Sequence, residues 1–264
     1  MVPRSVSRAP HLRACSVALA VALLVGLATL GEAAPAPKTP AAPRSNQAKP
    51  PANTAQSALD QAKRLIDAEQ PEAAAVMLRR FIEGGPAPEF LDDAYLLMAA
   101  AMYGMKEHAE TIRYVNQLLG EFPNSDVVDR AKLLLAKTHA RAGNLDLALP
   151  LLSEVRSLSA DPAIKRDALR LTGEFQVQKK DFLCAIQAWL DELPLDVGDQ
   201  AHETENQIRE LVNDKLDAPA LMRVRDAYPK TFPGDLASIK LIDLHTAAGE
   251  DHLVERDVRL FLSR

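Results

Sequence analysis

A spacing of 37 residues recurs along this chain, and it restricts the fold more tightly than any other feature. In units that begin at residues 55, 92, 129 and 166, the eighth position holds Ala62, Ala99, Ala136 and Gly173. The twentieth holds Ala74, Thr111, Ala148 and Ala185, and the twenty-fourth holds Leu78, Val115, Leu152 and Trp189. Two antiparallel helices joined by a short turn approach closely only where small side chains meet, and large apolar residues then fill the space between successive pairs. The turns lie between these positions. In Ala142-Gly143-Asn144, glycine supplies the left-handed conformation that ends a first helix. Pro86 and Pro123 at the thirty-second position, and Pro162 two places later in its unit, stop the second helix before the next begins.

The expected fold is therefore all-α, a solenoid of about five to six helical hairpins. Composition agrees: 47% of the 264 residues are hydrophobic, enough for a sizeable core, while 11 glycines and 5% aromatics are few for a β sandwich or barrel. Strong helix formers dominate after residue 56. The regular units run over 57–202. After residue 202 the frame breaks, and 203–264 reads as degenerate hairpins that complete the stack. Helical periodicity over 211–228 is interrupted at Asp217-Ala218-Pro219, which suits a proline opening a fresh helix. Residues 239–248, a turn at Gly249 and residues 252–264 form one more pair.

The stretches ALDQAKRLIDAEQPEAAAVMLRRFI, AYLLMAAAMYGMKEHAETIRYVNQLLGEFPNS and AKLLLAKTHARAGNLDLALPLLSEV resemble tetratricopeptide repeats (TPR). The family repeat is about 34 residues, so a spacing of 37 implies an added helical turn or a longer loop per unit. The variant it resembles is that of bacterial envelope proteins, in which the second helix runs into a turn such as Glu121-Phe122-Pro123-Asn124. The segment 216–264, with Tyr228-Pro229 and Gly249-Glu250-Asp251, also resembles the end of the helical N-terminal region of penicillin-binding-protein activators. In that family an α/β ligand-binding-type domain follows, whereas this sequence stops at Phe261-Leu262-Ser263-Arg264.

The first 33 residues read as an export signal: Arg4, Arg8 and Arg13 precede an uncharged run over 14–31, and small residues follow at Gly31-Glu32-Ala33. That run of 18 residues also reaches the lower limit for crossing a bilayer, so an uncleaved anchor is the alternative. Cys15 precedes the run, unlike a lipid-modified cysteine, which follows one. Cys184, the other cysteine, reads as a small buried residue of a helix. Residues 34–56 hold six of the chain's 18 prolines and almost no large apolar side chain, the composition of a disordered tether. Residues 57–264 carry 25 basic and 35 acidic side chains, a balance of −10 that repels phosphate backbones. Nucleic acid is not an expected partner.

Catalytic signatures are missing. The sequence holds no phosphate-binding glycine loop, nucleophile elbow, Cys-x-x-Cys or His-Glu-x-x-His pattern. No two of His108, His139, His202, His245 and His252 are three or four residues apart, and the closest pair, His245 and His252, seven apart across the Gly249 turn, reads as ordinary surface histidines. Glu203, Glu205, Glu210 and Asp214 read as a solvated face, and Trp189 as core. No cofactor or metal is expected.

One constellation stands out on the first helix of the third unit. Arg130, Lys137 and Arg141, spaced by seven and four, share one helical face, with Tyr103 and Arg170 flanking them from the neighbouring units. The TPR resemblance implies that positions two, nine and thirteen line a concave groove, and these three residues occupy them. Such a stripe would take a carboxylate or an acidic segment of a partner. The alternative is an exposed face that balances Asp126 and Asp129. The function expected from all this is a non-catalytic interaction scaffold of the bacterial periplasm or envelope, holding a protein partner in its groove. A regulatory subunit of cell-wall synthesis or outer-membrane assembly is the alternative, and an enzyme with a site between repeats the remote one.

Overall fold

The computed structural model describes residues 52–196 and 198–263. The expected signal or anchor at 1–33 and the tether up to residue 51 lie outside the described residues. The tether had been expected to run to 56, yet residues 52–56 already belong to the first helix.

The described residues form twelve α-helices and no strand. Four hairpins come first: α1 (Ala52–Asp67) with α2 (Pro71–Glu83), α3 (Leu91–Gly104) with α4 (His108–Glu121), α5 (Val128–Arg141) with α6 (Leu145–Leu158), and α7 (Pro162–Gln178) with α8 (Phe182–Glu192). They are followed by α9 (Asp199–Glu210), α10 (Ala218–Ala227), α11 (Phe232–Ala247) and α12 (Asp251–Leu262). Each helix packs chiefly on its neighbours in sequence, and the first helices of successive hairpins also touch, α1 on α3, α3 on α5 and α5 on α7.

The 37-residue frame reappears in the backbone. The turn of each hairpin places one residue in the left-handed region, Glu69 (φ 57°), Lys106 (64°), Gly143 (81°) and Lys180 (60°), and the α11–α12 turn repeats this at Gly249 (70°). Two reverse hydrogen bonds close each turn, as where Lys106 N–H donates to the Tyr103 carbonyl (3.1 Å) and Glu107 N–H to that of Met102 (2.9 Å). These satisfy carbonyls that the helix end would leave bare. Only one of the four frame positions carries the glycine that such a φ favours.

All twelve frame residues point into contacts between helices. Ala62, Ala74, Ala99, Ala136, Ala148 and Ala185 are 0% exposed, and Leu78, Val115, Leu152 and Trp189 are buried with them. Thr111 is buried at an otherwise alanine position because its hydroxyl donates to the Glu107 carbonyl one turn earlier (3.0 Å). Gly173 answers a different need. A Cβ there would sit 2.2 Å from Trp189 Nε1, so the fourth unit replaces the alanine and aliphatic of the others with a glycine and an indole.

The core is a chain of overlapping clusters. One joins α1, α2 and α3, the next α3, α4 and α5, the third α5, α6 and α7, and the last runs from α8 to α11 through Ile186, Ile208, Leu211, Leu221 and Leu241. Nearest-neighbour burial of this kind is what a solenoid requires.

Past α8 the pairing pattern changes. A 3-10 turn over Leu193–Leu195 follows α8, α9 runs into a π-helical stretch over Leu211–Lys215, and α10 packs on α8 and α11. The proline expected to open a helix does so: Asp217 caps α10, accepting from Ala220 N–H at 2.9 Å, with Pro219 in its first turn. Pro162 likewise starts α7, capped by Asp161, instead of merely ending α6. Cys184 is half-buried in the first turn of α8. Among the described residues no helix is long and apolar enough to cross a membrane.

Candidate functional site

The first helices of the hairpins share one face, and two adjoining hollows open along it. The first, about 530 Å³, lies across α3, α5 and α7 and is lined by Tyr103, Lys137, Ala140, Arg141, Glu174 and Gln178, with Leu171 and Phe175 at its base. Its register follows from helix geometry. Lys137, Ala140 and Arg141 are three and four residues apart, as are Glu174 and Gln178, so each set projects from one face.

Arg141 lies over Tyr103, its guanidinium carbon 4.0 Å from the ring centroid, which holds together helices belonging to two hairpins. Burial raises the Tyr103 hydroxyl pKa and the Arg141 charge opposes that rise, so the phenol stays neutral and can donate a hydrogen bond. Lys137 and Arg141 make no salt bridge within the described residues, and Glu174 faces them across the hollow.

Of the five residues singled out in the sequence, this hollow gathers Tyr103, Lys137 and Arg141. Arg130 is exposed at the start of α5, where its charge acts on Asp93. Arg170 pairs with Asp167 (3.4 Å) and lines neither hollow, its charge acting on Glu192. The stripe along α5 therefore divides, with its C-terminal two-thirds in the groove.

The second hollow, about 370 Å³, lies across α7, α8 and α9 and is lined by Glu174, Val177, Gln178, Trp189, Gln207, Glu210, Leu211 and Lys215. Glu174 and Gln178 belong to both hollows, so the two are continuous across α7. The π-helical stretch brings Leu211 and Lys215 to the rim. Glu192, one turn beyond Trp189 at the end of α8, is 3% exposed. Burial and the neighbouring Asp196 push its carboxyl up to about 7, against the charges of Arg170 and Arg166.

Periodicity missed Glu192 and Gln207, because an acidic residue late in a helix and an amide in a polar helix are indistinguishable from solvated surface until neighbours are placed. Glu210, read as solvated surface, lines the second hollow. His245, read as a surface histidine, is buried, with Nδ1 3.0 Å from Asp257 Oδ2 although the two are not aligned for a hydrogen bond. Among the described residues no group of three His, Cys, Asp or Glu side chains is arranged to hold a metal ion. Comparison with known protein families and with curated proteins found no match, so this surface is read from its own geometry.

Proposed function

We propose that the protein is a non-catalytic scaffold of the TPR kind, working in the bacterial periplasm or envelope, that holds a segment of a partner protein along the face formed by α3, α5, α7 and α9. The observation that carries this reading is the continuity of the two hollows through Glu174 and Gln178, which makes a path across several hairpins in place of an isolated pit. Side chains along it mix apolar floor with charged and amide groups, as suits a peptide that offers both side chains and backbone. Lys137 and Arg141 give the first hollow a cationic wall inside an acidic protein, and Tyr103 holds Arg141 in place, so an acidic side chain or a carboxylate fits there. The export signal and tether read from the residues before α1 set the compartment and the reach of the scaffold.

Photo-crosslinking in living cells tests this. A crosslinker at Gln178 in the groove is expected to capture a discrete partner that one at exposed Val76, on α2, does not. Reversal of Lys137 and Arg141 to Glu is expected to abolish the adduct. An adduct at Gln178 that survives the reversal overturns the assignment of the cationic wall, and equal capture from Val76 overturns the groove.

A further inference from the structure

The first and last helices of the stack differ in what they turn outward. Gly249 takes the left-handed place that Glu69, Lys106, Gly143 and Lys180 hold at the fifteenth position of their units, so α11 and α12 form a further unit counted from residue 235. In that count Ile239 is fifth, Val254 twentieth, Val258 twenty-fourth and Phe261 twenty-seventh. Elsewhere these positions pack against the next hairpin. Leu59 and Leu133 at the fifth, all four residues at the twentieth and at the twenty-fourth, and Leu118 and Val155 at the twenty-seventh are buried. Here Ile239 is 47% exposed, and Val254, Val258 and Phe261 are only half-buried. α12 packs chiefly on α11, and its one buried residue is Asp257. The α11–α12 hairpin therefore keeps the apolar face of an internal unit, left open among the described residues.

α1 is the contrast. Its third, sixth, seventh and tenth positions, which in the later first helices turn back onto the preceding hairpin, hold Ser57, Asp60, Gln61 and Arg64, all exposed. That is the polar finish that keeps the end of a solenoid soluble.

What closes the internal faces defines what fits the open one. Each time the first helix of the next hairpin supplies an alanine, Ala94, Ala131 or Ala168, and a large apolar residue one turn on, Met98, Leu135 or Leu171. The occupant of the α11–α12 face is by the same rule an amphipathic helix.

Carboxylates decide which helix. Asp235 and Asp243 stand four residues to either side of Ile239 on α11, and Asp251 stands three before Val254 on α12, so all three edge the apolar face. None of them forms an ion pair within the described residues. A second copy docked about a two-fold axis would set these carboxylates against their own copies, and one docked head to tail would offer the polar side of α1. A helix with basic flanks answers them.

We propose that the face formed by α11 and α12 is a docking site for an amphipathic helix of another protein, one that presents an alanine and large apolar residues at three- and four-residue spacing between lysine or arginine flanks. This surface is separate from the groove across α3, α5, α7 and α9, and the two sites bind different segments.

A synthetic helical peptide tests this on the full chain by fluorescence anisotropy. It carries isoleucine, alanine, leucine and phenylalanine at the spacing of Ile164, Ala168, Leu171 and Phe175, with lysines on the flanks. It is expected to bind about tenfold or more tighter than the same peptide with glutamates in place of the lysines, or with its apolar residues scrambled. Ile239→Ser, at an exposed site, is expected to weaken binding about tenfold, and Val258→Ser to do the same, with helicity and melting as the check on folding. Asp243→Lys is expected to weaken the lysine peptide and strengthen the glutamate one. Absence of binding, or binding indifferent to Ile239→Ser and Val258→Ser, overturns the site. Binding that is lost on reversal of Lys137 and Arg141 to Glu puts the peptide in the groove and overturns it as well. A dimer of the chain alone in sedimentation, dissociated by Ile239→Ser, overturns the partner helix in favour of a second copy.

Discussion

Replacing Gly173 by alanine measures how far the repeat frame rests on matched volumes. Alanine is the better helix former by about 1 kcal/mol, and three of the four units carry it at this position, so sequence averaging recommends the change. Its Cβ, however, would lie 2.2 Å from Trp189 Nε1 and 2.6 Å from Cδ1 and Cε2. The indole is 5% exposed and packed among Ile186, Ile208 and Leu211, which leaves it little room to retreat. Overpacking of a closed core costs typically ~1–3 kcal/mol, and a contact this short belongs at the upper end. After the gain in propensity the net loss is about 2 kcal/mol, or roughly 4–8 °C in Tm for a domain of this size. Trp189→Leu alone leaves a void beside Gly173 and costs about 2–3 kcal/mol. The double variant recreates the Ala62–Leu78 and Ala136–Leu152 pairs of the other units, so it should lie within about 1 kcal/mol of the wild type, a favourable coupling of at least ~2 kcal/mol. Thermal and urea melts of the four proteins give the cycle. Losses that simply add refute the idea that the eighth and twenty-fourth positions form one packing unit.

Other sites give independent tests. Lys106→Gly relieves a left-handed residue, and urea titration should show a gain of about 1 kcal/mol, with Glu69→Gly and Lys180→Gly acting alike. Asp257 is 2% exposed and gathers Arg256 (2.8 Å), Arg225 (3.4 Å) and His245 (3.0 Å) between α10, α11 and α12. Asp257→Ala should cost about 3 kcal/mol and loosen the last hairpin first, seen as faster amide exchange in α12. Burial pushes the Asp257 carboxyl up, but the Arg256 hydrogen bond and the charges of Arg256, Arg225 and His245 outweigh it, so its pKa lies below the usual range. Its contribution is then present above the unfolded value of 3.8 and is lost as pH falls through the lower folded one. Glu192 has the opposite sign: its folded value of about 7 exceeds 4.5, so the native state binds the extra proton and stability declines as pH rises from 4.5 to 7. Glu192→Gln should flatten that decline and make the variant the more stable protein at pH 8, as pH-dependent melting will show.

The frame residues were legible because close helix packing tolerates few side chains. Ala62, Ala99 and Ala136 announce it by being small at equal intervals, and all are fully buried. Asp217-Ala218-Pro219 was legible for a local reason, since a capping carboxylate followed by proline acts within one turn. Gly173 was legible as small but not as obligatory, because its need depends on where Trp189 lies in space. The groove was half legible. Lys137 and Arg141 share a helix, so spacing places them, whereas Glu174, Gln207 and Lys215 reach the same surface from other helices. Glu192 and His245 were misread or overlooked for one reason: an ionisable side chain enters a core only with partners from other segments, and a single sequence does not pair them.

Irregular backbone and unpartnered polar atoms meet around α8 and α9. The 37-residue frame fails just after α8, and there the chain has a 3-10 turn, a π-helical stretch and the unpartnered atoms of Trp189, Glu192, Asp196 and Gln207. Decay of a terminal repeat does not account for this, because the largest apolar cluster runs straight through the region, with Ile208, Leu211 and Val212 buried on the same helix that carries Gln207. A segment that keeps its core while leaving polar groups bare bears a cost in stability that packing does not require. In the regular hairpins Thr111 and Thr138 are answered by carbonyls one turn back and Tyr95 by Gln117, whereas His108 Nδ1, His139 Nδ1 and Arg170 Nε have no partner among the described residues. Of Trp189, Glu192, Asp196 and Gln207, the first and last also line the second hollow, so the departure from the regular frame reaches the same face as the groove.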